Sequence, residues 1–184
     1  MKLLLTGKPG CGKTTLIKKI VGALPSAAVG FYTEEIRGAH GRRKGFSLLT
    51  LDGRRGTLAA VGTGGHHRVG RYRVNLDCVD RLAVASLHTE DENLLIVIDE
   101  VGKMECLSGA FCNAVRRALD GPNPVLGTVA LGGAPFIREI RDRDDIELIE
   151  VTADNRQSLA GELVEILETR TNKWDENEVD IEKP

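Results

Sequence analysis

Lys2-Leu3-Leu4-Leu5-Thr6-Gly7-Lys8-Pro9-Gly10-Cys11-Gly12-Lys13-Thr14-Thr15 decides how the rest of the chain is read. Lys2 to Thr6 is an apolar run of strand length, and helical spacing of apolar residues takes over from Lys13 to about Ala23. Between them, Gly7 to Thr14 satisfies G-x-x-x-x-G-K-[ST] in full, in the strand–turn–helix setting that its chemistry needs. Glycines let the backbone curl so that successive N–H groups point inward at phosphate oxygens. The helix that starts there adds the partial positive charge of its N-terminus. Lys13 is expected on the β- and γ-phosphates and Thr14 on Mg²⁺. A glycine turn without function is the competing reading, and the strand and helix around it weigh against that.

A second stretch supplies the other half of such a site. Leu94 to Ile98 is a continuous apolar run, as expected for a strand covered on both faces, and it ends in Asp99-Glu100. Ligands bind beyond the carboxyl ends of strands in open α/β sheets. Asp99 is therefore expected to hold Mg²⁺, and Glu100 to accept a proton from an attacking water. Many buried strands end in acids, so these residues gain meaning only beside the phosphate loop.

Outward from these two strands, apolar runs and helical patterns alternate: a strand at Ala27–Tyr32, helices near 76–87, 107–119, 135–141 and 156–168, and strands near Val125–Val129 and Glu147–Val151. Alternating strands and helices predict an α/β fold with a mostly parallel sheet. Residues 37–75 break the alternation with short β-type runs and the turn Asp52-Gly53, read as a β-rich insertion of hairpins. One domain is expected over 1–170, followed by an acidic, disordered tail over 171–184.

Composition bounds the function. The chain has 184 residues, 41% hydrophobic and 28% charged, an ordinary globular balance. Aromatics are 4%, few for a surface that stacks on bases. No apolar stretch approaches the ~18 residues of a membrane span. Cys11, Cys78, Cys106 and Cys112 show neither CxxC pairs nor metal-like spacing, and are read as reduced thiols of a cytoplasmic protein. Cys11 lies beside Lys13 and a helix N-terminus, a setting that activates a thiol. His66-His67 reads as a solvated loop. The net charge of −2 conceals a contrast: residues 37–73 carry nine Arg/Lys against Asp52 alone, a net +8, and 174–184 carry five acids against Lys183, a net −4. The basic segment can be a solvated face, a handler of triphosphates or, less favoured for want of aromatics, a nucleic-acid surface. Asn172-Lys173-Trp174-Asp175 matches N-K-x-D but follows a helix rather than a buried strand, and is set aside as coincidence.

The chain resembles the small P-loop nucleoside-triphosphatases that include the animal cancer-related nucleoside-triphosphatase. The likeness lies in Gly7 to Thr15, Gly30-Phe31-Tyr32-Thr33-Glu34-Glu35-Ile36-Arg37, Gly41-Arg42-Arg43 with Gly45-Phe46, and Val69-Gly70-Arg71-Tyr72. It continues in Asp99-Glu100-Val101-Gly102-Lys103-Met104-Glu105 and in Val151-Thr152 to Asn155-Arg156. The resemblance implies a P-loop three-layer sandwich and a Mg²⁺-dependent hydrolase of ATP, GTP and other nucleoside triphosphates. It implies nucleotide contacts at Gly7, Lys8, Pro9, Gly10, Cys11, Gly12, Lys13, Thr14 and Thr15, and along Leu95, Ile96, Val97, Ile98, Asp99, Glu100, Val101 and Gly102. By analogy with the P-loop branch in which Glu follows the metal Asp, Val125–Val129 is expected between Leu3–Thr6 and Leu94–Ile98, with Thr128 near the γ-phosphate. Lys13 and Glu100 are the expected catalytic residues, Thr14 and Asp99 the metal ligands. No arginine finger is assignable, so turnover is expected to be slow, with low base selectivity. Two rivals stay open: a small-molecule or nucleotide kinase with the arginine-rich segment as a lid, and a nucleotide-dependent switch.

Overall fold

The computed structural model describes residues 1–24, 27–62 and 66–178, with side chains to residue 169. β1 (Lys2–Thr6) is buried along its whole length and leads through the glycine loop into α1 (Lys13–Ala23). β2 (Ala28–Arg37), β3 (Arg43–Thr50), β4 (Arg55–Val61), β5 (His67–Val69) and β6 (Tyr72–Val74) follow. A helical turn α2 (Leu76–Cys78) then widens into π-type turns over Val79–Val84. β7 (Leu95–Val101), α3 (Gly109–Asp120), β8 (Val125–Val129), α4 (Pro135–Arg141), β9 (Glu147–Glu150) and α5 (Ser158–Glu178) complete the described elements.

The strands form one sheet in the order β5-β6-β4-β3-β2-β7-β8-β1-β9. Among the described strands, β2, β7, β8, β1 and β9 run parallel to one another, the expected α/β core. β8 lies between β1 and β7, as the analogy predicted. The β-rich insertion does not sit on the sheet as a separate layer. β3, β4, β6 and β5 extend it antiparallel beyond β2. That explains why β2 runs past Tyr32 to Arg37: Ala28–Phe31 pairs with β7, and from Phe31 on the strand pairs with β3.

Side-chain alternation turns this sheet into three layers. Leu3 and Leu5 of β1, with Leu95 and Val97 of β7, meet Leu16, Ile17 and Ile20 of α1 and Leu159, Leu163 and Leu167 of α5. Leu4, Ile96 and Ile98 face the other way, onto Phe111 and Val115 of α3 and Ile137 and Ile140 of α4. Each fully buried side chain of this kind contributes roughly 1.5–3 kcal/mol. Lys2 locks β1 to the adjoining layer, because its ammonium donates to the carbonyls of Ala118, Gly121 and Asn123 at the end of α3. α5 runs on to Glu178, past the end expected at Glu168. The side chains of the acidic tail, and with them the N-K-x-D reading, lie outside the described residues.

Candidate active site

β1, β7 and β8 end at the same edge of the sheet, β2 runs on past it, and the loop after β1 curls over it. Gly7, Gly10 and Gly12 hold φ of +141°, +80° and +105°, values costly for any residue with a β-carbon. Gly7 is further constrained: a β-carbon there would stand 2.6 Å from the Val151 carbonyl oxygen. The Lys13 ammonium folds back over the loop and donates to the carbonyls of Gly7 (3.0 Å) and Lys8 (3.3 Å). Its tip is thus held at the loop's mouth, where a phosphate chain would replace those carbonyls as partner.

Asp99 is 1% exposed and draws together four elements. Its Oδ1 accepts from Thr14 Oγ1 of α1 (3.1 Å) and from Thr128 Oγ1 of β8 (3.4 Å). Its Oδ2 accepts from the backbone N–H (3.2 Å) and hydroxyl (3.4 Å) of Thr33 on β2. Burial pushes its carboxyl up to about 6, against the lowering effect of those hydrogen bonds. Glu100 also faces the cavity, although consecutive residues of a regular strand point to opposite faces. A bulge resolves this. Ile98 pairs with Gly127 and Val101 with Val129, so Asp99 and Glu100 together oppose Thr128 alone. Both acids therefore look into one cavity, while Ile98 and Val101 share the α3 face of the core. Burial raises the Glu100 carboxyl, and the nearby Lys13 ammonium works against that rise.

The cavity has a volume of about 850 Å³. It brings together Gly7, Pro9, Gly10, Gly12, Lys13, Thr14 and Thr15 with Asp99, Glu100 and Thr128. Lys8 and Cys11 belong to the loop without lining it. Of the other residues expected at the nucleotide, the side chains of Leu95, Ile96, Val97, Ile98 and Val101 are at most 3% exposed, in the core, and none lines the cavity. Gly102 does not line it either. The sequence reading gave no role to Thr33, Glu34, Glu35, Arg43 or Glu105, all of which line it. The adjacency of β2 and β7 that brings Thr33 to Asp99 is a property of sheet order, which no local pattern carries.

The arginine-rich insertion is less free than its +8 suggests. Glu34 pairs with Lys18 (2.6 Å) and Arg55, and Glu35 with Arg37 and Arg43. Both acids lie just before the basic segment in sequence and opposite it in the sheet. His66 and His67 are both exposed, but only His66 lies in the loop; His67 opens β5 and pairs with Val74, which corrects the reading of the pair as a loop.

A hydroxyl and a buried carboxylate meeting at 3.1 Å, with no basic side chain paired to the carboxylate among the described residues, suit a hard divalent cation. No cluster of three His, Cys, Asp or Glu side chains among the described residues could hold a metal unaided. Mg²⁺ needs none, because it keeps waters and takes phosphate oxygens beside one or two protein groups.

Glu105 sits at the edge of this site, 3% exposed, its carboxyl pushed up to about 8 by burial and then by Glu100. The folded protein keeps a proton here that the unfolded chain releases near pH 4.5. Stability is therefore expected to fall as pH rises above about 4.5 toward about 8. Glu105→Gln should flatten that fall, and urea unfolding at pH 5 and pH 8 checks it. A wild type that loses no more stability than the variant over this interval contradicts the assignment.

Cys11 places its sulfur 4.0 Å from the Lys13 ammonium. Alkylation of Cys11, followed by peptide mass spectrometry, is expected to slow severalfold when Mg-ATP fills the loop. Equal labelling with and without nucleotide contradicts this.

Phosphate loop, strand-end acids and five-stranded parallel core define a P-loop nucleotide-binding protein of the α/β class. A family model described as NTPase matches residues 2–164, and the chain belongs to that family. It is 44% identical over 168 residues to nucleoside-triphosphatase THEP1 of Thermotoga sp. (strain RQ2), covering 91% of this chain and 95% of that one. It is 43% identical over 179 residues to the Homo sapiens cancer-related nucleoside-triphosphatase, covering 88% and 94%. The fold matches the crystal structure of THEP1 from the hyperthermophile Aquifex aeolicus with a TM-score of 0.83 at 37% identity, over 91% of this chain and 99% of that one. It matches the solution structure of a human cancer-related nucleoside triphosphatase with a TM-score of 0.76 at 40% identity, over 91% and 97%. Family and fold make the chain a hydrolase enzyme.

Proposed function

We propose that the chain hydrolyses nucleoside triphosphates, ATP and GTP among them, to diphosphate and phosphate, with Mg²⁺, slow turnover and little preference for base. The observation that carries this is a complete phosphate loop facing the bulged Asp99-Glu100 pair across one cavity. Similarity to relatives named nucleoside-triphosphatases supports it. Phosphoryl transfer asks the protein mainly for positioning and charge neutralisation. The loop's N–H groups cradle the phosphate chain, and the Lys13 ammonium neutralises charge that gathers on the β,γ-bridge. Thr14 and Asp99 would hold Mg²⁺, which would supply further charge neutralisation when bound. Glu100, raised by burial, orients the water and takes its proton. Arg43 is the arginine that lines the cavity among the described residues, and its ion pair with Glu35 keeps it from acting as a free cation at the γ-phosphate. Slow turnover is the expectation that follows. A cytoplasmic location belongs to the same proposal.

The cavity favours one second reading. It continues past the phosphate end to an apolar wall of Phe46, Leu58, Val69 and Met104, enough room for an acceptor molecule of a kinase. Chromatography of products from ATP and GTP with Mg²⁺ tests both readings, with and without small hydroxyl acceptors. Diphosphate and phosphate in equal amounts without acceptor are expected. Turnover that needs an acceptor overturns hydrolysis as the function.

A further inference from the structure

Arg43 opens β3 and lines the cavity, as does Glu35 of β2, its partner in an ion pair. Glu35 carries a second cation, Arg37, which does not line the cavity. Alternation along β2 puts Glu35 on the same face as Thr33, two residues and roughly 6.7 Å further along the strand. No register shift falls between them. Thr33 is the residue whose N–H donates to Asp99 (3.2 Å). A line of contacts thus runs from the carboxylate that would hold Mg²⁺, through Thr33 and Glu35, to the Arg43 guanidinium.

We propose that Arg43 is a further catalytic residue, latched by Glu35: it exchanges Glu35 for the γ-phosphate and neutralises charge there as the phosphoanhydride breaks. The proposal rests on the reading of the chain as a hydrolase. In that step the water oxygen bonds to the γ-phosphorus, the bridging oxygen leaves with the nucleoside diphosphate, and the water's proton goes to Glu100. A guanidinium meets phosphate oxygens bidentately, through charge-assisted hydrogen bonds. The Arg43–Glu35 pair is a weaker competitor, because its side chains are 42% and 31% exposed and such pairs hold loosely. Glu35 therefore slows hydrolysis without preventing it. It competes with the γ-phosphate for one arginine.

The surroundings make this exchange a movement of one side chain. The Arg43 carbonyl accepts from Arg71 Nη2 (2.8 Å), and Arg43 is the register partner of Arg37, so its backbone is fixed. Its guanidinium lies 5.3 Å from the centre of the Phe46 ring, a contact without a hydrogen bond to set its direction. Glu35 keeps a charge partner when Arg43 leaves, because Arg37 stays. Arg37 is tied to the Gly41 carbonyl (3.0 Å) as well as to Glu35. No bare carboxylate is left behind. Lys18, the other cavity cation paired with an acid of β2, is not placed for this role. Its partner Glu34 falls on the opposite face of β2. Lys18 also lies over the Tyr32 ring (5.1 Å), one turn further along α1 than Thr14.

The test uses the full chain and three variants: Arg43→Ala, Glu35→Gln and the two combined. Single-turnover hydrolysis of Mg-ATP without acceptor, Mg-ADP affinity and thermal melting are measured on each and on the wild type. Arg43→Ala is expected to slow hydrolysis by about 10²-fold, the lower range for one preorganised donor at a developing charge. Mg-ADP affinity should stay within about twofold of wild type, because ADP has no γ-phosphate. Glu35→Gln should hydrolyse about two- to fivefold faster than wild type, the worth of a half-exposed ion pair. Structural damage cannot give that gain. In the double variant the gain should vanish, leaving the rate of Arg43→Ala. The proposal is overturned if folded Arg43→Ala matches the wild-type rate or loses Mg-ADP affinity in step with rate. It is overturned equally if Glu35→Gln is no faster than wild type, or if the double variant outpaces Arg43→Ala. Should Arg43→Ala not fold, Glu35→Gln decides, and an unchanged rate there overturns the proposal. A wild type that turns over ATP only with an acceptor defeats the hydrolase reading and takes this one with it. A wild type that hydrolyses ATP alone, beside an unimpaired Arg43→Ala, defeats only the role of Arg43.

Discussion

Lys13→Ala is expected to lower nucleoside-triphosphate turnover by about 10³-fold, the upper range for removing one preorganised donor from a developing charge, while the protein stays folded. The ammonium donates to the Gly7 and Lys8 carbonyls and to the Cys11 sulfur, all within the loop, and Lys13 is not among the core residues. Its loss therefore leaves the two apolar layers as they are. What disappears is the positive charge at the mouth of the loop. Steady-state phosphate release and thermal melting on the same preparation check this. A folded Lys13→Ala protein with near wild-type turnover removes the phosphate loop from the mechanism.

Glu100→Gln is expected to slow hydrolysis by about 10²–10⁴-fold, the usual worth of a positioned general base, with Mg-nucleotide affinity retained. Glutamine keeps the size and one hydrogen-bonding oxygen of Glu100 but cannot take the proton. Asp99 remains on Thr14, Thr33 and Thr128, so the carboxylate that would hold Mg²⁺ is undisturbed. Paired measurement of affinity and single-turnover rate separates the possibilities. Unchanged hydrolysis moves the base elsewhere in the cavity. Lost affinity makes Glu100 part of the metal site instead.

The two predictions differ in how the residues behind them could be found. Lys13 was legible because its motif is local: eight consecutive residues, one turn, and a strand and helix on either side. Asp99 and Glu100 were legible as acids ending an apolar run, although the strand continues through them to Val101. Thr33 and Glu105 were not. Thr33 reaches Asp99 only because β2 and β7 are neighbours, and Glu105 reaches the cavity only because the chain turns back after Gly102.

The sequence by itself determined the parts whose physics is local. Periodicity distinguished strand from helix in β1, α1, β8 and α4, and glycine spacing marked a loop able to point N–H groups at phosphate. Apolar runs without polar alternation announced strands covered on both faces. The tertiary structure alone decided three things. Sheet order turned the basic insertion into an antiparallel extension and set Glu34 and Glu35 against its arginines, because strand pairing joins residues remote in sequence. The bulge opposite Thr128 aimed both Asp99 and Glu100 into the cavity; an unbroken strand would have sent one of them into a face of the core. Burial pushed up the carboxyl groups of Asp99 and Glu105, since desolvation depends on what packs around a carboxyl group and not on its neighbours in the chain.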